Sequence, residues 1–161
     1  LYAAFKIIIG KTNDELISFV NAVRTETKEQ GQEGVAFPRG VNNLEKYRHG
    51  TDIYCKGTPI HVRGALLYND FVRKNKLEHK YPYIQEGEKI KFLHIREPNA
   101  YQSTSISFLT RLPEEFNLHS LIDHDMQFEK SFVEPLKFIT DKIKWKLDSS
   151  YGTQGTLEGF L

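Results

Sequence analysis

The stretch Lys89-Ile90-Lys91-Phe92-Leu93-His94-Ile95 begins with a regular alternation of polar and apolar side chains. Successive side chains of a β-strand point to opposite faces, so this alternation is typical of a half-buried strand. The preceding Glu86-Gly87-Glu88 has the composition of a turn. The centre of the chain is therefore predicted to contain a sheet.

Upstream of that strand, the segment 60–68 (IHVRGALLY) changes from alternating to continuously apolar, and we interpret it as a second strand. Between residues 31 and 57 the pattern is irregular. Phe37-Pro38-Arg39-Gly40 and Val41-Asn42-Asn43 have the chemistry of loops or turns.

Both ends of the chain are predicted to be helical. Residues 1–9 have the pattern of the end of a helix, and Asn13 is a suitable N-cap for a second one whose apolar residues recur at helical spacing. Residues 125–143 form the longest helical pattern, which Pro135 must kink or restart because it lacks a backbone donor. The expected fold class is α+β, a small antiparallel sheet flanked by helices.

The expected organisation is one domain followed by a tail. Residues 1–148 form the domain, with a helical arm at 1–30, a sheet-containing basic part at 37–112 and helices at 113–148. Residues 149–161 are a linker, rich in Ser, Gly and Thr, and a terminal peptide.

Composition narrows the class of protein. The 161 residues are 39% hydrophobic and 12% aromatic, which suffices for a packed core and argues against disorder. No stretch approaches the roughly 20 apolar residues of a membrane span, so no membrane association is expected. The single cysteine, Cys55, excludes an internal disulfide and fits a reducing compartment, so we expect a cytoplasmic location.

Charge is unevenly distributed although the net charge is only +1. Residues 37–96 contain twelve Lys or Arg and six Asp or Glu, whereas the rest of the chain contains ten and fifteen. This division favours one face for a polyanion, with chance clustering on a solvated surface as the alternative.

Two groups of side chains could form a metal site or a catalytic site, but for each of them a structural role explains the sequence equally well or better. His119 and Asp123 are four residues apart and could share a helix face as metal ligands, but the acids near them equally suit the first turn of a helix. Cys55 has His49 and His61 nearby, yet a lone cysteine is usually an inert core residue. We therefore predict no catalytic and no metal-binding residue in this chain.

The segment 56–64 (KGTPIHVRG) is a better candidate for binding. Lys56 and Arg63 are cations at its two ends, and its Gly and Thr residues can bring amides and hydroxyls close to a phosphate. Arg39, Asn42, Asn43, Lys46 and Tyr47 offer further donors from an upstream loop. The alternative is a strand with an incidental basic edge.

The last residues form a second pattern, Q-x-x-L-x-x-F-L, made by Gln154, Leu157, Phe160 and Leu161. One turn of 3₁₀ helix would place the three apolar side chains together as a plug. Such a plug on a flexible tether can dock in a preformed hydrophobic pocket. The tail could equally fold back on its own core.

Three blocks of the chain are residues 57–69 (GTPIHVRGALLYN), 86–97 (EGEKIKFLHIRE) and 129–139 (EKSFVEPLKFI). In order and spacing they resemble the thumb domain of family B DNA polymerases, above all those of T-even-type bacteriophages. The loop 41–47 (VNNLEKY) is similar to their A-N-N-x-x-K-Y block. The resemblance extends from about residue 13 to 161.

The resemblance implies two partners. The thumb holds the primer–template duplex, which assigns DNA contacts to Asn42, Asn43, Lys46, Tyr47, Lys56, His61, Arg63 and Gly64, with Arg39 added from its place in the basic segment. These polymerases also end in a peptide that binds the sliding clamp, which assigns clamp contacts to Gln154, Leu157, Phe160 and Leu161. Clamp tethering raises the effective concentration of the enzyme at the primer end.

The chain departs from the family in three respects. The chain has one more residue than the family between Lys56 and the predicted strand that begins Pro59-Ile60-His61, and the segment 37–40 differs from the usual Ser-rich stretch. The palm, whose aspartates would hold Mg²⁺, is absent together with the fingers and the exonuclease. We therefore expect a piece that is inactive alone and works with the remaining polymerase domains, an expectation that fits a start at Leu1 rather than Met.

Two rival hypotheses remain at this point. The chain could be a stand-alone clamp-associated DNA-binding accessory protein with no polymerase partner. It could also be a small metal-dependent hydrolase that uses the cluster between His119 and Asp125.

Overall fold

The computed structural model describes residues 1–29, 36–48 and 53–147. The described residues form two compact units, one from residues 1–29 and 128–147, the other from residues 36–48 and 53–127. The α-helices among the described residues are α1 (Tyr2–Gly10), α2 (Asn13–Glu29), α3 (Leu44–Tyr47), α4 (Ile60–Lys74), α5 (His124–Phe128) and α6 (Glu134–Thr140). None of them is long and apolar enough to cross a membrane.

The sheet of the second unit has three antiparallel strands, β1 (Phe37–Gly40), β2 (Lys89–His94) and β3 (Ser105–Phe108), in the order β1-β2-β3. The predicted strand at 89–95 is confirmed and is the central one. A small antiparallel sheet accompanied by helices is the α+β class expected from the sequence.

Two of the three strands were not predicted. The segment 37–40 was interpreted as a loop, but it is the edge strand β1, with Phe37 opposite Phe92 and the two ring centroids 5.2 Å apart. An edge position tolerates Pro38, which has no ladder donor to offer. In β3 the serines Ser105 and Ser107 alternate with the buried apolar residues Ile106 and Phe108, and this strand was not predicted from the sequence.

The interpretation of 60–68 as a strand was wrong, because this segment is the first part of α4. Its β-branched residues and initial alternation imitate a strand. The buried residues Val62, Ala65, Leu66 and Val72 nevertheless recur at helical spacing once the pattern is followed to Lys74. Helix α4 is buried over most of its surface, which produces the continuous apolar run.

Helix α4 packs directly on β3. Ser105 Oγ donates to Ile60 O at 2.6 Å, and Ser107 Oγ donates to His61 O at 2.8 Å. A Cβ at Gly64 would lie 2.5 Å from Ser107 Oγ, so only glycine fits this approach. The serines of β3 therefore hold the first turn of α4 against the sheet.

The first unit is helical. Thr12 and Glu15 form a capping box at the start of α2, with Thr12 N donating to Glu15 Oε2 at 3.0 Å and Glu15 N donating to Thr12 Oγ1 at 3.4 Å. The predicted helix α2 is confirmed, although the cap is Thr12 rather than Asn13.

The core of the first unit consists of the buried residues Ala4, Leu16, Val20, Phe128, Val133 and Leu136.

The predicted helix at 125–143 is helical throughout but changes type. Helix α5 is followed by a π-helical turn at Glu129–Val133, then by α6 and a 3₁₀ turn at Asp141–Ile143. Pro135 occupies the first turn of α6, where its missing donor costs little. The predicted restart is thus observed one residue before the proline.

Candidate nucleic-acid interface

The loop between β1 and α3 carries the paired asparagines. Asn42 and Asn43 are exposed, and Asn43 has a left-handed backbone with φ 64°. The carboxylate of Glu86 accepts from Asn43 N at 2.5 Å and from Leu44 N at 2.9 Å. Because Leu44 is buried in the core, the loop is anchored on one side and presents its amide side chains to solvent on the other.

A second loop fixes the same segment. Val41 N donates to Glu88 O at 2.9 Å, and Gly87 N donates to Val41 O at 2.8 Å. Gly87 has φ +80°, a backbone conformation that favours glycine. Two of the sequence blocks, 41–47 and 86–97, are therefore brought together in space.

Lys46 and Lys56 lie on connected segments. Lys46 is exposed on α3, with Nζ 5.4 Å from the centroid of the Tyr47 ring. Tyr47 O accepts from Cys55 N at 3.1 Å, which joins the end of α3 to the turn that carries the exposed Lys56. Gly57, at φ +87°, supplies the left-handed residue of this turn.

Arg63 has a mainly structural set of contacts. Its Nε donates to Thr58 O at 3.0 Å, and its guanidinium lies 5.1 Å from the centroid of the Tyr54 ring. Tyr54 is itself tied to the backbone, since its hydroxyl donates to Gln102 O. Arg63, which is half-buried, therefore holds the loop that precedes α4.

Arg39 and His61 are brought together from β1 and from the first turn of α4. Burial is the main cause that lowers the pKa of His61 below its ordinary value, and the positive charge of Arg39 lowers it further. The His61 ring lies 6.3 Å from that of Phe92, between centroids. Arg39 is exposed at the sheet edge.

Gly64 does not face solvent. It is buried under β3, where the backbone N of Ser107 would be 2.6 Å from a Cβ at this position. The close approach that this glycine permits is that of the protein's own strand, so we leave Gly64 out of the interface.

A cavity of about 570 Å³ beside α4 is lined by three cations and by the three acids Glu45, Asp70 and Glu86, so its formal charges balance. Arg48, Arg73 and Lys74 line it, together with the carboxylate of Asp70. Asp70 Oδ1 lies 2.7 Å from Arg73, and Oδ2 lies 2.7 Å from Lys74. These pairings follow i,i+3 and i,i+4 spacing, which only the helical assignment of this segment could have revealed.

The other candidate clusters have structural roles. Asp123 Oδ1 accepts from Met126 N at 2.9 Å and thus caps α5. Cys55 Sγ lies 3.7 Å from Thr58 Oγ1 within the same turn. Among residues 1–29, 36–48 and 53–147, no group of three or more His, Cys, Asp or Glu side chains could hold a metal ion.

Four site residues predicted from the sequence lie outside the described part of the chain, as does His49. They are the proposed clamp contacts Gln154, Leu157, Phe160 and Leu161.

Comparison with known proteins found similarity to two viral enzymes. The chain is 32% identical over 115 residues to a DNA-directed DNA polymerase of Escherichia phage RB69, a match that covers 68% of the chain and 12% of that protein. It is 27% identical over 142 residues to a DNA-directed DNA polymerase of Enterobacteria phage T4, covering 84% of the chain and 15% of that protein. No protein-family model matches.

The chain thus spans less than a sixth of the length of these relatives. The similarity covers most of the chain and supports its interpretation as a piece of a phage DNA polymerase.

Proposed function

We propose that this chain is the thumb-like part of a phage-type DNA-directed DNA polymerase, and that it holds the primer–template duplex. The observation that carries the proposal is the similarity to two phage polymerases over 68% and 84% of the chain. The proposed DNA-binding surface consists of Arg39, Asn42, Asn43, Lys46 and Lys56, and we call it the duplex surface.

The duplex surface joins cations to neutral donors. Lys46 and Lys56 are exposed on segments linked by the bond from Cys55 N to Tyr47 O. Asn42 and Asn43 present side-chain amides that can donate to phosphate or sugar oxygens. Such contacts fix the position of a duplex without reading its sequence, as a polymerase that copies any template requires.

Other residues of the predicted site make contacts that hold the segments of the duplex surface in place. Arg63 holds the loop before α4 through Thr58 and Tyr54. Tyr47 is half-buried, and its carbonyl receives the Cys55 amide. Burial and the positive charge of Arg39 lower the pKa of His61, and a phosphate beside this pair would offset the effect of that charge.

The chemistry of nucleotide addition belongs, in this proposal, to the rest of the parent polymerase. Nucleotidyl transfer uses carboxylate-bound metal ions, which the palm would supply with Mg²⁺. The 161-residue chain alone is proposed to bind DNA without extending a primer.

The terminal peptide is proposed to bind the sliding clamp of the same replication system through Gln154, Leu157, Phe160 and Leu161. Leu157→Ala with Phe160→Ala should abolish pull-down of the clamp, because the apolar plug loses two of its three prongs. Glu158→Ala lies in the same peptide but off the motif, and it should leave capture intact. Equal capture by both variants would remove clamp binding from the proposal.

The DNA-binding proposal is tested by fluorescence anisotropy of the purified chain with a labelled primer–template duplex. Binding should weaken with salt, with a slope of about −2 or steeper in a plot of log K against log salt, since at least two phosphates are neutralised. An absence of duplex binding at low salt would contradict it.

A further inference from the structure

We infer that Glu86, an acid at the edge of the proposed duplex surface, is a positioning residue for DNA binding. This inference rests on the proposed function, because it concerns how the same surface is shaped. Its carboxylate accepts two backbone hydrogen bonds, from Asn43 N at 2.5 Å and from Leu44 N at 2.9 Å. These amides belong to the loop that presents Asn42, Asn43 and Lys46.

The loop needs such an anchor. Helix α3 has only four residues, and Asn43 ahead of it adopts a left-handed backbone without capping α3 through its own side chain. The first amides of a helix have no partner within it, so another group must accept from them. Glu86 does so from more than 40 residues away, and charged acceptors form the stronger hydrogen bonds.

The turn 85–88 holds Glu86 in place. Gly87 N donates to Val41 O, and Val41 N donates to Glu88 O, which clamps the turn 85–88 against the start of the loop. Gln85 N donates to Glu88 Oε2 at 2.7 Å, which closes the turn on itself. Glu86 therefore projects from an ordered turn. Its loss should increase the mobility of the loop before α3 more than that of strands β1 and β2.

Removal of the Glu86 carboxylate should weaken DNA binding, the opposite of the effect expected from charge alone. Removing a negative charge beside a polyanion should tighten binding if only long-range charge mattered. Loss of the anchor instead leaves Asn42, Asn43 and Lys46 to be ordered at the moment of binding, at a cost in affinity. Glu86→Gln keeps the shape, offers one acceptor instead of two, and turns an amide donor toward the backbone N–H groups.

Glu45 provides the matched control. It is also an acid of this segment, but its side chain is 88% exposed and it forms an ion pair with Arg48, at 3.8 Å. Glu45→Gln removes the same charge without removing a loop anchor, so it should leave duplex affinity unchanged or raised.

The experiment measures duplex affinity by anisotropy for wild type, Glu86→Gln and Glu45→Gln, each first shown to be folded by circular dichroism. We expect Glu86→Gln to bind about threefold or more weakly, which is the scale of ordering one or two side chains. In a double-mutant cycle, Glu86→Gln and Lys46→Ala should be non-additive, whereas Glu86→Gln and Arg39→Ala should add, because β1 holds Arg39 independently. A merely structural role would not produce this difference.

Wild-type affinity in Glu86→Gln, or additivity with Lys46→Ala, would overturn the inference and leave the DNA-binding proposal standing. Failure of the wild-type chain to bind duplex would overturn both. Should Glu86→Gln not fold, Glu86→Asp replaces it, since it keeps the charge but shortens the reach, and the same loss of affinity is expected.

Discussion

Gly64 and Ser107 are in such close contact that a Cβ at residue 64 would lie 2.5 Å from Ser107 Oγ and 2.6 Å from Ser107 N. One of these atoms is backbone and cannot rotate away. This contact sets the distance between α4 and β3 and thereby the position of the first turn of α4.

Gly64→Ala should therefore destabilise the protein by about 1–3 kcal/mol, the usual cost of overpacking, as measured by urea denaturation. Gly10→Ala is the control, because nothing lies within 4 Å of a Cβ at that position. Wild-type stability in Gly64→Ala would contradict this role of the contact.

Glu129 is the centre of a buried ion cluster in the first unit. It is 7% exposed, with Lys137 Nζ at 2.9 Å from Oε1 and Arg24 at 3.9 Å from Oε2. Glu129→Ala leaves these cations without their buried partner and should cost about 3 kcal/mol of unfolding free energy. Glu134→Ala breaks a half-exposed pair with Lys130 and should cost less than about 1 kcal/mol. Equal losses in the two variants would contradict this role for Glu129.

Arg63 is expected to matter for stability as well as for binding. Arg63→Ala removes the hydrogen bond to Thr58 O and the contact with the Tyr54 ring, and should cost about 1–2 kcal/mol. Arg63→Lys should not restore it, because a lysine has no guanidinium plane to stack on the ring and no Nε–H donor. Thermal denaturation of the three proteins measures this directly, and a fully stable lysine variant would argue against it.

His61 predicts a dependence of stability on pH. Its pKa is lowered in the folded protein, by burial first and by Arg39 second, from an ordinary value of 6.5. The unfolded chain therefore takes up a proton at His61 more readily than the folded protein does. The contribution of His61 to the free energy of unfolding is present above pH 6.5 and is lost as pH falls from that value toward the folded pKa. Urea titrations between pH 7.5 and 5 should show a smaller decline for His61→Gln than for wild type. An identical decline would remove His61 from the explanation.

The sequence predicted those parts of the fold whose pattern is local. Strand β2 and helix α2 follow from period-2 and period-3.6 patterns that each element displays alone. Helix α4 was missed because it is buried on nearly all sides, which hides its period, and because Ile60 and Val62 favour strands. Strand β1 is four residues long and contains Pro38, so only its pairing with β2 identifies it.

Some residues of the candidate site could likewise be predicted from the sequence, whereas others depend on contacts between distant segments. Exposed cations such as Lys46 and Lys56 can be proposed from residue type alone. The role of Glu86 depends on a contact with residues more than 40 positions away, and no spacing in the sequence indicates it. Gly64 was predicted to contact DNA, whereas in the structure the atoms packed against it belong to Ser107 and Ile106.

The most direct measurement compares two double variants in a salt titration of duplex binding. Lys46→Ala with Lys56→Ala removes two cations from the duplex surface, whereas Lys142→Ala with Lys146→Ala removes two exposed cations from the other unit. We predict that the first pair weakens binding about tenfold and flattens the salt slope by about 2, while the second pair leaves both nearly unchanged. Equal effects of the two pairs would show that charge alone, and not the surface formed by α3 and the turn before α4, binds the DNA.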